Sequence, residues 1–415
     1  MATPPIRVLE LSCGSTLLVE SATNGRSAAL TWMIPVGTAT DPPGSEGDSV
    51  LLAELCQRGA GGRNSREFSD SLDRLGVRRS VGPGPMHLSV SIVALGRNLP
   101  EALPLVVDLV RRPELPADGL EPARNLALQA LEGLEDDPQE KVGILLRERL
   151  LPPPFNRSGY GRVEDLEGTS IERLRTVWRE RAVPKGSIIG VAGDVDADAL
   201  ARSLDRLLAD WSGSAPEPVE TGPARMGTFH EESDSSQSHV ALGFKAPPEN
   251  DPDALAIRLA VRILGGGSSS RLFSEVREKR GLCYSVGASY SSGRDRGALT
   301  IYAGSTPERA QETVDCILKE VATLERGVTA EEFQRATVGQ KSGLVMSGES
   351  TTARATTIAA DWYRLGRPRS LDELAAEVDA LSLSSLNETI ARRMGSAWRA
   401  AMAAATIGPK ALTFG

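Results

Sequence analysis

Apolar positions along this chain recur with two periods, one near two residues and one near three and a half, and stretches of the two alternate. Residues 15–21 and 28–35 are short apolar runs that read as strands, joined by the turn residues Asn24-Gly25. Residues 49–57 are apolar almost throughout, the mark of a buried helix rather than a surface one. Residues 65–75 predict a second helix, which Gly76 ends. From 78 to 93 the pattern alternates, with Leu88, Val90 and Ile92 on one face, so two strands are expected around residues 82–85. Leu103, Val106, Val107 and Val110 fall at helical spacing within 99–110, and residues 120–135 read as a longer helix. Past a loop holding Pro152, Pro153 and Pro154, Thr169 and Glu172 have the spacing of a capping box. In such a box the Thr oxygen accepts from the backbone and the Glu reaches back. The helix it would start leads to a buried strand at 187–192.

The order then begins again. Residues 212–224 carry Ser, Gly and Pro without periodicity, and 216–224 is the expected linker. Beyond it, the strand at 240–244 corresponds to 29–32 and the apolar helix at 255–264 to 50–56. Gly281, Ser285 and Gly287 repeat the spacing of Gly76, Ser80 and Gly82, and Pro307-Glu308 repeats Pro100-Glu101. A second capping box, Thr329 with Glu332, opens the helix that matches the one near Leu120. The shared landmarks indicate an internal duplication, with halves at 1–215 and 225–415. The expected fold class is α+β: two homologous halves, each a mainly antiparallel sheet with helices packed on one face.

At 415 residues the chain is long enough for each half to bury its own core. A net charge of −8 argues against nucleic acid and against an anionic membrane surface as partner. Residues 1–10 show neither the basic nor the apolar part of a signal peptide, and no apolar run approaches membrane-spanning length. A cytoplasmic location is the expectation. Cys13, Cys56, Cys283 and Cys316 are scattered, with no C-x-x-C pair, and Cys56, Cys283 and Cys316 read as small buried hydrophobes.

Residues 265–287 stand apart chemically. Gly265, Gly266 and Gly267 close an apolar helix. Ser268-Ser269-Ser270-Arg271-Leu272-Phe273 opens a charged helical stretch, and Gly281-Leu282-Cys283-Tyr284 leads into a strand. Arg277 and Tyr284 lie seven apart across the helix end. This stretch resembles the C-terminal-domain signature of the pitrilysin-type metallopeptidases, the inverted-zincin family. With the duplication, the chain is similar to their short bacterial type over nearly its whole length. The resemblance implies that Arg277 and Tyr284 reach an active site and bind substrate peptide. A Tyr hydroxyl there donates to the oxyanion of the reacting carbonyl, and a guanidinium fixes a substrate carbonyl in register. Gly265 also reads simply as a helix C-cap with the other glycines making the turn, whereas the resemblance implies that Gly265, Gly266, Gly267 and Ser268 form a glycine-rich loop that contacts substrate.

The family's catalytic signature is H-x-x-E-H, whose two His bind one zinc from a single helix face while the Glu serves as base. Here Val50 stands where the first His belongs, Ala53 where the base belongs and Glu54 where the second His belongs. The later helix offers Gln129 and no carboxylate at the third ligand's place. His87, His230 and His239 are the three histidines of the chain, and no two are four apart, so no metal site is expected on it. Glu54 is expected at a helix edge or paired with Arg58. The resemblance thus implies a non-catalytic subunit, similar to that of mitochondrial processing peptidase and inactive alone. Its partner would be a homologous H-x-x-E-H subunit that carries the zinc, the two forming a heterodimeric endopeptidase. Two further readings stay open: a purely structural subunit like the core subunits of the respiratory cytochrome bc complex, and a peptide-binding homodimer that never cleaves.

Overall fold

The structure, a computed structural model, describes residues 5–22 and 25–414. Asn24 of the expected first turn lies outside the described residues. The chain opens with β1 (Arg7–Glu10), β2 (Thr16–Ser21) and β3 (Ser27–Ile34), then α1 (Asp48–Leu55). The short pair β4 (Gly59–Ala60) and β5 (Arg63–Asn64) leads to α2 (Ser65–Arg74) and the hairpin β6 (Arg78–Pro83) and β7 (Leu88–Leu95). Helices α3 (Leu99–Arg111), α4 (Leu120–Glu132), α5 (Pro138–Leu150), α6 (Val163–Gly168) and α7 (Ile171–Arg181) follow, then β8 (Ile188–Gly193) and α8 (Ala197–Leu207). The second series begins with β9 (Gly227–Glu232), β10 (Ser238–Ala246) and α9 (Ala254–Gly265). A π-helical turn, Phe273–Glu278, precedes β11 (Ser285–Ser292) and β12 (Gly297–Ser305). The chain closes with α10 (Ala310–Leu324), α11 (Ala330–Gly348), α12 (Thr351–Leu365), α13 (Leu371–Ala380), α14 (Leu383–Arg393), α15 (Ser396–Ala400) and β13 (Ala403–Gly408).

The fold is α+β, in two compact units. The first comprises the described residues of Met1–Gly133, Arg157–Glu220 and Met346–Asp372. Its sheet runs β1-β2-β8-β3-β7-β6, antiparallel throughout except for the β2–β8 pair. Strand alternation sends Leu17, Val19, Leu30, Trp32 and Ile34 into a core shared with α1, α3, α7 and α8. The intervening residues face the other way. There Leu18 and Ile188 meet Ile358 and Ala359 of α12, and Ala29 and Ala192 meet Ala355. Gly190 permits this contact, because a Cβ there would fall 2.2 Å from the Ala355 carbonyl oxygen. A buried ion pair between Arg354 and Glu20, 2.7 Å apart, anchors the same helix.

The second unit comprises the described residues of Leu134–Asn156, Thr221–Val345 and Glu373–Gly415. Its sheet runs β11-β12-β10-β13-β9, with β13–β9 the parallel pair. Read from the other edge this is the order of the first sheet, with β9, β13, β10, β12 and β11 in the places of β2, β8, β3, β7 and β6. Val240, Leu242, Phe244, Leu299 and Ile301 point into the core with α9, α10 and α14. On the opposite face Ala241, Ala403, Ala405 and Ile407 receive Val142, Leu146 and Leu150 of α5.

The compact units are therefore not the continuous halves 1–215 and 225–415. Residues 134–156 of the first half serve the second unit, and 346–372 of the second half serve the first. The helical layer expected on one face of each sheet is present, and a single exchanged helix covers the other face. One cap also shifts. Ser170, not Thr169, caps α7 by accepting from the Arg173 amide at 3.3 Å. The Thr169 hydroxyl is instead turned toward buried Asp48, to which it donates at 2.9 Å. The second box forms as expected: Thr329 accepts from the Glu332 amide at 3.2 Å, and Glu332 accepts from the Thr329 amide at 2.8 Å.

Candidate functional site

The signature stretch starts where α9 stops. Gly265 ends that helix with its backbone against β11, and a Cβ there would fall 2.4 Å from the Ala288 amide nitrogen. Only glycine permits so close an approach. A Cβ on Gly266 would come 2.8 Å from the backbone of Arg262. Packing thus accounts for Gly265 and Gly266, whereas Gly267 and Ser268 are exposed.

Beyond the loop the helical stretch widens into the π-turn Phe273–Glu278, a winding that tends to occur at functional sites. The turn ends at Gly281, which adopts the left-handed conformation at φ +62°. The Gly281 amide donates to the Arg277 carbonyl at 3.1 Å, and the Leu282 amide to the Val276 carbonyl at 2.9 Å. Each bond is one residue wider than in the Schellman ending of an α-helix, which matches the π winding. Leu282 and Val276 are buried together in the core. Thr313 of α10 donates to the Leu282 carbonyl at 3.2 Å, Arg309 donates to the Gly281 carbonyl, and the Tyr284 amide donates to the Gly304 carbonyl at 2.9 Å. The backbone from Arg277 to Tyr284 is held along its length.

The two side chains it carries are offered to solvent. Tyr284 is 61% exposed, and Arg277 is exposed as well. The Arg277 guanidinium lies over the Phe273 ring, 4.6 Å from its centroid, a contact that places the charge without neutralising it. Among the described residues Arg277 forms no ion pair. Its neighbours Lys279 and Arg280 both pair with Glu275, whose carboxyl the Lys279 ammonium holds below the usual carboxylate range.

A polar row supports the strand behind Tyr284. Ser285 of β11 pairs with Gly304 of β12, which pairs with His239 of β10. Because Gly304 has no side chain, the Tyr302 hydroxyl can occupy the place, 2.9 Å from where a Cβ would be. That hydroxyl meets His239 Nδ1 at 2.9 Å. Burial pushes the His239 pKa down and that of Tyr302 up, so both rings are neutral at neutral pH.

On α1, in the other unit, the positions named for zinc offer no ligand set. Val50 is partly buried against the core, Ala53 is buried, and Glu54 pairs with Arg58 at 2.9 Å. Gln129 on α4 is exposed. His87 packs edge-on against Tyr363, and His230 and His239 bond Thr406 and Tyr302. Among the described residues no three His, Cys, Asp or Glu side chains cluster as a metal site would require. These residues do not fit the family's zinc site. The thiols behave as buried hydrophobes, with Cys56 pushed up to about 12 and Cys283 up to about 11 by burial.

Sequence reasoning missed the polar cluster that fixes the start of α1. Asp41 accepts from the amides of Gly47 and Ser49 and from the Ser49 hydroxyl, each at 3.0 Å. Asp48 accepts from Thr169 at 2.9 Å and from Arg173 at 2.8 Å. The only signal available was two acids in a loop of Pro and Gly, which ordinarily marks a surface turn.

A model of the family described as "Peptidase M16 inactive domain" matches residues 169–337, a span that includes the whole signature stretch. Over that span the chain is similar to the M16, pitrilysin-type family. A Bacillus subtilis relative of this pitrilysin-like chain, called uncharacterized zinc protease YmxG, is 28% identical over 90% of this chain and 92% of its own. The fold recurs in a Pseudomonas fluorescens peptidase M16 inactive domain, at TM-score 0.88 and 21% identity, covering 99% of each chain. It recurs also in a chain of Complex III2 from Candida albicans, at TM-score 0.82 and 18% identity, covering 98% of this chain and 96% of that one. Among the described residues of the pitrilysin-like chain no helix is long and apolar enough to cross a membrane.

Proposed function

We propose that this chain is the non-catalytic subunit of a heteromeric zinc endopeptidase. In this reading Arg277 and Tyr284 bind the substrate peptide and stabilise the oxyanion in the active site of a homologous partner, which carries H-x-x-E-H and the zinc. The observation that carries it is the pairing of a braced backbone with two exposed side chains, one an unpaired cation and one a phenol. A structural role would more naturally pack the Tyr284 ring against its neighbours. Val50, Ala53 and the engaged Glu54 are the complementary observation, since they leave this chain without ligands of its own at the family's zinc positions. Within the glycine-rich loop, exposed Gly267 and Ser268 are the positions open to peptide.

The test is steady-state kinetics of the chain mixed with an H-x-x-E-H homologue. Tyr284→Phe removes one hydroxyl, and loss of an oxyanion donor costs on the order of 100-fold in kcat or more. Arg277→Ala raises KM as well, because a carbonyl contact also holds the ground state. The chain alone is expected to hold no stoichiometric zinc and to cleave no peptide. Unchanged kinetics in both variants would leave a structural subunit as the better reading, and a tightly held zinc per isolated chain would overturn the assignment.

A further inference from the structure

The stretch that leads to Arg277 also walls a polar cavity of about 420 Å³. Its other walls come from Glu320 of α10, Arg326 in the turn after it, and Glu332 and Arg335 of α11. Small ligands usually occupy cavities of roughly 300–1,000 Å³.

Most charges around this cavity are already matched. Arg271 donates to both oxygens of Glu332, at 2.7 and 2.9 Å. Glu275 is held by Lys279 and Arg280, and Arg335 by Glu331. Two charges and one buried hydroxyl remain. Glu320 is 9% exposed, accepts the Thr323 hydroxyl at 3.3 Å, and forms no ion pair among the described residues. Arg326 is exposed and likewise forms none among them. Ser270 is 5% exposed, and its hydroxyl has no hydrogen-bond partner among the described residues. Buried acids are rare unless paired, and buried hydroxyls are nearly always bonded. An unpaired carboxylate, an unbonded hydroxyl and an unpaired guanidinium around one cavity form the complement of a molecule with a cation at one end and an anion at the other.

We propose that this cavity binds a small zwitterion carrying a free ammonium and a free carboxylate: an amino acid or a dipeptide. The ammonium bonds Glu320 and Ser270, and the carboxylate bonds Arg326. The site is formed by Ser270, α10 and the turn after it, and does not depend on the role proposed for Arg277.

Isothermal titration of the full chain with alanine, alanyl-alanine and the N-acetyl and C-amide forms of the dipeptide tests this. Alanine or alanyl-alanine is expected to bind saturably, which of the two deciding the ligand's length. Blocking either terminus should weaken binding about tenfold or more, as expected when a charged hydrogen bond is lost. Glu320→Gln should lose the preference for the free amine, and Arg326→Met the preference for the free carboxylate. Arg326 is exposed, so that variant carries the test even where Glu320→Gln fails to fold. No saturable binding up to about 10 mM, blocked forms binding as well as free ones, or an Arg326→Met chain that still prefers the free carboxylate would overturn the proposal.

Discussion

Asp41 sits between opposing demands. Three donors favour its charged form, while burial, joined by the neighbouring Asp48 charge, favours the neutral one. Burial prevails and pushes its pKa up to about 7. The folded chain then binds a proton that the unfolded chain releases between about pH 4 and pH 7. The stability this contributes is fully present below the unfolded value and is lost as pH rises through the folded one. Urea midpoints of the wild-type chain should therefore carry a rising component on acidification from about pH 7 to pH 5. Asp41→Asn should flatten that component; an unchanged slope would show that another group is responsible. The sequence shows the residue but not its burial, which depends on Arg157 donating to the Thr38 and Asp41 carbonyls from far along the chain. Arg277 and Tyr284 are the opposite case. Their spacing is legible in the motif, and tertiary structure adds only their exposure and the Phe273 contact.

At the scale of elements, the approach of α9 to β11 shows how one atom limits packing. Gly265→Ala would push a methyl into the Ala288 backbone, which cannot swing away as a long side chain could. Overpacking of this kind typically costs about 1–3 kcal/mol. The urea midpoint of Gly265→Ala should fall, while Gly267→Ala, whose Cβ would meet nothing, should stay near wild type. Equal midpoints would show that the close approach is not needed. Many of the strands and helices up to α11 were readable in advance, but α8, α12 to α15 and β13 were not. Helix α5 was not, because its apolar stripe of Val142, Leu146 and Leu150 is narrow and lies among Glu140, Lys141, Arg147, Glu148 and Arg149. The α7 cap was misplaced by one residue because an acid distant in sequence, Asp48, takes the Thr169 hydroxyl.

At the scale of the whole molecule, the exchange of α5 and α12 makes the sequence halves interdependent. A chain of 225–415 lacks α5, and Ala241, Ala298, Ala403, Ala405 and Ile407 would lose their cover. Truncating one buried Leu to Ala costs about 2–5 kcal/mol, and total stability is only about 5–15 kcal/mol. The 225–415 chain is therefore expected not to unfold cooperatively in urea, as followed by circular dichroism. Adding a peptide of residues 134–156 should restore a transition. A cooperative transition of 225–415 by itself would show that the exchanged helix is dispensable.

By itself the sequence determined what depends on local pattern and on residue chemistry. That covers the α+β class, the repeated order of elements, the lack of ligands at Val50, Ala53 and Glu54, and the Arg277–Tyr284 spacing. Tertiary structure alone decided which sheet receives each exchanged helix, why Gly265 must lack a side chain, and which charges around the cavity are left unmatched. Periodicity reveals that a helix has an apolar face, but the partner of that face is chosen by contacts between residues far apart in sequence. Whether an acid such as Asp41 or Glu320 is buried or paired is likewise a property of its neighbours in space.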